Sequence, residues 1–217
     1  MGSSFIRFVV FAALIFGAIA GALRLTCLRW WQVPEDDPDL AASIAPTLRA
    51  GDWIILWRGT EPSFGDLVLC PDPEDAGEVV IARVAAEPGD ELVISDDGSL
   101  RINGARIRPE SACNTPRFTV EHPRSGDDVE LRCDIEQLGG HYHQRALVPG
   151  KAPLKPLSGK RNVAMGTVFL ISDNRYLPFD SRDFGPLPRA SCQETVVFRL
   201  VSRLGFSDVA NRLSWIQ

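Results

Sequence analysis

The chain has 217 residues, 45% of them hydrophobic and 24% charged. This composition excludes disordered and collagen-like proteins and fits one domain, or one domain carrying an insertion, with a core that needs no staples. A net charge of −5, from 23 basic and 28 acidic residues, sets nucleic acid aside as a partner, because neutralising phosphates requires a basic patch.

Residues 8–23 carry no charge, and Phe5, Ile6, Leu25, Cys27 and Leu28 extend this apolar stretch across Arg7 and Arg24. It reads as a membrane span over 1–28. Sixteen residues at ~1.5 Å each cover ~24 Å of a ~30 Å hydrocarbon layer, so the flanking arginines must snorkel. The Trp30-Trp31 pair then falls at the interface, as aromatic belts do. A cleaved secretory signal would have a small-x-small site after its apolar region. None directly follows Leu23, so an uncleaved anchor is expected. Charge leaves the orientation open, since Arg7 and the amino terminus face Arg24 and Arg29.

Residues 29–40 contain the acidic, proline-punctuated run PEDDPDL and read as a linker. Beyond it, short apolar runs at 53–57, 67–69, 79–81, 91–94, 100–102, 168–171 and 196–198 are bounded by Gly, Asp, Asn or Pro and predict strands. Asn103-Gly104 is a hairpin signal. The body is expected to be mainly β, with its core in 41–108 and 161–217. Between 109 and 160 the apolar pattern thins and polar residues, Pro and Gly rise, which marks an inserted cap. A short terminal helix is weakly suggested over 204–216.

The five cysteines, Cys27, Cys70, Cys113, Cys133 and Cys192, include no C-x-x-C and exclude a zinc site. An odd count leaves at least one thiol free. Cys113 and Cys133 flank one polar segment and are the expected pair if the body lies outside the cytoplasm; five unpaired thiols are the alternative.

Three segments carry a family resemblance. Ser43-Ile44-Ala45-Pro46-Thr47-Leu48 followed by Gly51-Asp52 resembles the S-M-x-P-T-L-x-x-G-D signature of type I signal peptidases. Ile81-Ala82-Arg83-Val84, Pro88-Gly89-Asp90 and Ile102-Asn103-Gly104 are similar to that family's Y-I-K-R-V…P-G-D…I-N-G run. Ser172-Asp173-Asn174-Arg175 and Asp180-Ser181-Arg182-Asp183-Phe184-Gly185 resemble its G-D-N-R…D-S-R-x-W-G box. The resemblance implies an antiparallel β body behind one N-terminal transmembrane helix. It implies a monomeric serine endopeptidase, single-pass in the inner (cytoplasmic) membrane with its body on the extracytoplasmic side. Signal peptides of exported preproteins with Ala-x-Ala sites, and the lipid bilayer, are the implied partners; neither cofactor nor metal is implied. The implied chemistry is a Ser–Lys dyad, in which a lysine deprotonates the serine only where apolar burial lowers its pKa. A soluble self-cleaving repressor protease uses the same dyad, but the span and the lack of a helix-turn-helix argue against it.

Ser43 matches the nucleophile. The lysine position, however, holds Ala82, whose methyl group accepts no proton, and Arg83 stays protonated. The serine that orients the lysine falls on Pro178, and an oxyanion-donating hydroxyl found in many members falls on Ala41. A catalytically silent homologue that binds preproteins or a partner is therefore the alternative to an active enzyme. His122, His141 and His143 lie in the cap and read as surface histidines; a relocated histidine base or a metal pair at His141-x-His143 is the sharper reading. Lys151, Lys155 and Lys160 border the cap, and exposed lysines stay protonated. Asp173, Asp180, Ser181 and Arg182 read as supports of the last box through charge-assisted hydrogen bonds, and Thr47 as a cap of the local turn.

Overall fold

The computed structural model describes residues 2–95, 98–152 and 159–216. Helix α1 (Gly2–Thr26) stands clear of the body, with Phe5, Phe8, Phe11, Leu14 and Phe16 exposed. Phe5–Arg24 is long and apolar enough to cross a membrane.

The body is mainly β. Its principal antiparallel sheet contains β1 (Leu28–Gln32), β2 (Trp53–Trp57), β3 (Leu67–Pro71), β4 (Val79–Ala86), β12 (Thr167–Ile171), β13 (Leu187–Pro188), β14 (Glu194–Val201) and β15 (Ser214–Trp215). The strand order is β1-β2-β14-β3-β4-β12-β13, with β15 paired to β14. A small sheet of β11 (Arg161–Asn162), β5 (Glu91–Ile94), β6 (Leu100–Ile102) and β7 (Ala105–Arg106) lies beside it. Asn103 and Gly104 take φ of 49° and 82° between β6 and β7, as a two-residue primed turn requires.

Adjacent residues of a strand face opposite sides, and β4 shows both. Ile81 packs with Leu67 and Leu69 against Leu40, Ile44 and Leu48. Val80, Ala82 and Val84 pack with Val68, Cys70, Val168, Leu170 and Cys192. A third cluster joins Leu92, Leu100 and Ile102 of the small sheet to Phe169 and Ile171.

Residues 29–40 are not a free linker. Leu28–Gln32 pairs antiparallel with Trp53–Trp57, and Trp31 packs against the core cluster. The acidic run then starts helix α2 (Pro38–Ser43): Asp37 is its N-cap, accepting from Leu40 N at 2.8 Å, and Pro38 opens the first turn, where its missing N–H costs nothing. Residues 204–216 form turns and β15 rather than a helix; Gly205 at φ 80° and pairing with β14 override the weak helical pattern.

The 109–160 segment builds its own three-stranded sheet from β8 (Pro109–Glu121), β9 (Asp128–Leu138) and β10 (His141–Leu147), in the order β10-β9-β8. It meets the core at the β9–β10 turn, where a Cβ on Gly139 would lie 1.8 Å from Phe64 O and one on Gly65 would lie 2.4 Å from Leu138 O. Only glycines permit that approach. Cys113–Cys133 closes this sheet, Cys70–Cys192 ties β3 to the segment before β14, and Cys27 is the free thiol. The second bridge joins residues 122 positions apart, a separation that offers no sequence signal.

Candidate active site

Ser43 is the last residue of α2 and is fully buried. Its hydroxyl donates to Leu40 O at 3.0 Å, the back-bond a serine makes when no other acceptor is offered. Its carbonyl accepts from Asn174 N at 3.0 Å, and Asn174 Nδ2 donates to Ala42 O at 2.8 Å. The end of α2 is thus clamped onto the 172–175 loop. Beside it, Ala41, Ala42 and Ala45 line a groove of about 450 Å³ whose far wall is Phe118–Glu121 of edge strand β8; Ser43 is not part of the lining.

Ala82 is buried in the apolar cluster on the face of β4 opposite to Ile81 and α2. Arg83 points the other way and is fully buried: Nε and Nη2 donate to the two carboxylate oxygens of Asp173 at 2.7 and 3.2 Å, and Nη1 donates to Gly65 O at 3.1 Å. Thr47, expected to cap a turn, instead donates to Asp173 Oδ2 at 2.5 Å. The last box closes on itself. Asp180 Oδ2 accepts from Ser172 N at 2.7 Å and from Arg182 Nη2 at 2.8 Å, and the Ser181 hydroxyl accepts from Leu170 N at 2.9 Å. Burial would raise the Asp180 pKa, but Arg182 and the backbone donors bring it below the usual carboxylate value.

Lys151 is exposed, Lys160 pairs with Glu91 at the surface, and Lys155 lies outside the described residues. His141 is exposed and His122 half-buried, whereas His143 is buried, contrary to the surface reading. It sits on β10 opposite Glu136 of β9, Nε2 to Oε1 3.1 Å. Glu136 is also paired with Arg175 and with Arg145. Burial opposes its ionisation, yet Arg175, then His143 and Arg145, hold its carboxyl well below the usual range. These partners converge from separate elements, so sequence spacing does not reveal them. No group of three or more metal-ligating side chains occurs among the described residues.

Burial, then the nearby Arg83, lowers the His143 pKa below 6.5, against the opposing pull of Glu136 and Asp173. The unfolded chain therefore binds the proton first, so unfolding free energy decreases as pH falls through 6.5 toward the lowered native value. The slope approaches about 1.4 kcal/mol per pH unit for one proton. Denaturation at successive pH values should show this slope in the native protein and lose it in His143→Phe. The contributions of Glu136 and Asp180, whose pKa values are depressed, disappear only in a lower window, below the ordinary carboxylate value.

The family model for "Signal peptidase, peptidase S26" matches residues 4–201. The chain belongs to the signal peptidase family. A signal peptidase I V of Bacillus subtilis (strain 168) is 30% identical over 122 residues, 56% of each chain. A signal peptidase I of Pseudomonas fluorescens is 26% identical over 176 residues, 74% of this chain and 56% of the relative. The chain spans just over half the length of these relatives. The crystal structure of a signal peptidase I from Enterococcus faecalis V583 aligns with 63% of this chain and 97% of its own, at 22% identity and a TM-score of 0.39.

Membership makes the chain a relative of hydrolases. Ser43, expected from the motif resemblance as the nucleophile, is buried at the end of α2, and Ala82, expected at the base position, lies in an apolar cluster on the other face of β4. Pro178 adjoins Phe179, whose ring meets Phe184 edge-on with centroids 6.0 Å apart.

Proposed function

We propose that this chain is a membrane-anchored signal peptidase relative that receives the small-residue segment of exported preproteins in the groove beside α2 and holds it without cutting. The observation that carries this reading is the pairing of Ser43 with Leu40 O while the base position is an alanine inside an apolar cluster. A hydroxyl without a neighbouring base is a poor nucleophile, and loss of a general base alone removes roughly 10²–10⁴-fold in rate. The groove supports peptide binding: Ala41, Ala42 and Ala45 line it together with Glu35, Asp36, Arg49 and Arg203, and its β8 side is an edge strand to which an extended chain can add. The disulfides support a body on the oxidising, extracytoplasmic side, where such bonds persist. Anchoring to one bilayer raises the effective concentration of a preprotein without new contacts.

Turnover at Ser43 is the second reading, favoured by the S-I-A-P-T-L-x-x-G-D motif lying inside the family match. Cleavage of an Ala-x-Ala preprotein in detergent by the native chain, Ser43→Ala and Ala82→Lys separates the two. The expected result is no cleavage above the blank for any of them, with native and Ser43→Ala binding the preprotein equally. Ala82→Lys gains nothing because its amine enters the cluster on the far face of β4. Cleavage by the native chain that Ser43→Ala abolishes establishes the second reading instead.

A further inference from the structure

A second cavity, about 320 Å³, lies between β10 and β15 and is lined by Thr47, Arg83, Ile135, Tyr142–Gln144, Arg199 and Ser214–Ile216 among others. Three buried polar atoms without a hydrogen-bond partner among the described residues belong to its lining: Nδ1 of His143, Nε of Arg199 and Oγ of Ser214. Arg199 and Ser214 face each other across the β14–β15 register. A buried polar atom left unsatisfied costs roughly 1–3 kcal/mol, a cost that a ligand entering this cavity and reaching them removes.

The kind of atom each one offers restricts that ligand. Glu136, flanked by Arg175 and Arg145, is an ionised acceptor, so the His143 nitrogen facing it carries the hydrogen and Nδ1 presents a lone pair. Arg199 Nε presents N–H, and the Ser214 hydroxyl can give or take. A carboxylate would meet the imidazole lone pair, and a cation would meet two guanidinium groups, Arg83 and Arg199. A neutral amide brings one N–H and one C=O and satisfies both kinds.

The backbone offers the same match. β10 is an edge strand, and the chain's own Asn174 already forms one parallel bridge to Ala146. Ala146 N donates to Asp173 O, and Ala146 O accepts from Arg175 N, each at 2.8 Å. The amide groups of Ala146 thus point to the open side, and alternation sends those of Gln144 and Tyr142 the same way. We infer that this cleft takes an extended, uncharged peptide strand that prolongs the Asn174 bridge along β10 and offers its amides to His143, Arg199 and Ser214. This site is separate from the Ala41 groove and does not depend on it.

Calorimetric titration of the full-length protein in detergent with acetyl-Gln-Val-Gln-Val-Gln-amide, which is uncharged and lacks the small residues proposed for the Ala41 groove, tests the inference. Saturable one-to-one binding is expected at roughly millimolar concentration or below, weakened about fivefold by Ser214→Ala. Gln144→Pro, which removes the outward N–H, should abolish it. Ala41→Trp, which fills the other groove, should leave it unchanged. Absence of saturable binding, equal affinity in Ser214→Ala and Gln144→Pro, or loss of binding in Ala41→Trp overturns the inference.

Discussion

Asp173→Ala is expected to lower unfolding free energy by about 3–5 kcal/mol, the range for removing one partner of a buried ion pair. Both partners are buried, and Arg83 has its two fork nitrogens on the Asp173 oxygens, leaving only Gly65 O once the carboxylate is gone. Thr47 loses its acceptor in the same step. An uncompensated guanidinium in the interior cannot shed its proton, so the structure must open to hydrate it. The double replacement Arg83→Met with Asp173→Leu removes both charges, and apolar substitution of a buried pair is often close to neutral. Thermal and denaturant unfolding in detergent should therefore rank the double variant well above Asp173→Ala. A loss below about 1 kcal/mol in Asp173→Ala, the range of exposed pairs, would contradict the burial of this pair.

The second large effect concerns the bridge between Cys70 and Cys192. Chain-entropy reasoning gives about 4–5 kcal/mol for closing a loop of this length and about 3 kcal/mol for the shorter loop between Cys113 and Cys133. The two separations are 122 and 20 residues. Cys70→Ala with Cys192→Ala should accordingly shift the denaturation midpoint further than Cys113→Ala with Cys133→Ala. The longer bridge also crosses the apolar cluster holding β3, β4 and β12 together, so its loss is felt in the core, whereas the shorter one acts inside the cap sheet. Equal shifts, or a larger one for the cap pair, would show that this region keeps its structure without the covalent tie.

Local patterns made much of the fold legible. Trp53–Trp57, Glu91–Ile94 and Leu100–Ile102 occur as strands over those same residues, because each apolar run is too short for a helix and is cut by residues that stop a strand. The Asn103-Gly104 turn was equally readable, since its left-handed backbone is what those two residue types tolerate. Where burial had to be known first, the reading failed. Leu28 looked like the end of the anchor and residues 29–32 like linker, because their partner edge on Trp53–Trp57 is visible only once the sheet is built. His143 looked exposed in a polar segment, yet it is buried against Glu136 and close to Arg83 and Asp173, which come from β9, β4 and the 172–175 loop. The 204–216 segment carried a faint helical pattern that pairing with β14 overrode.

The candidate site divides along the same line. Sequence by itself determined the membrane-length apolar helix, the β character of the body, the family motifs, and the absence of a proton acceptor at Ala82, because these depend on residue identity and near-neighbour spacing. Only the tertiary structure decided that Ser43 is closed off against Leu40 O, that Arg83 and Asp173 form a buried pair, and that Cys70 meets Cys192. Burial and long-range pairing are properties of the assembled sheets: a side chain's solvent access and its partners come from whichever strands the topology places beside it.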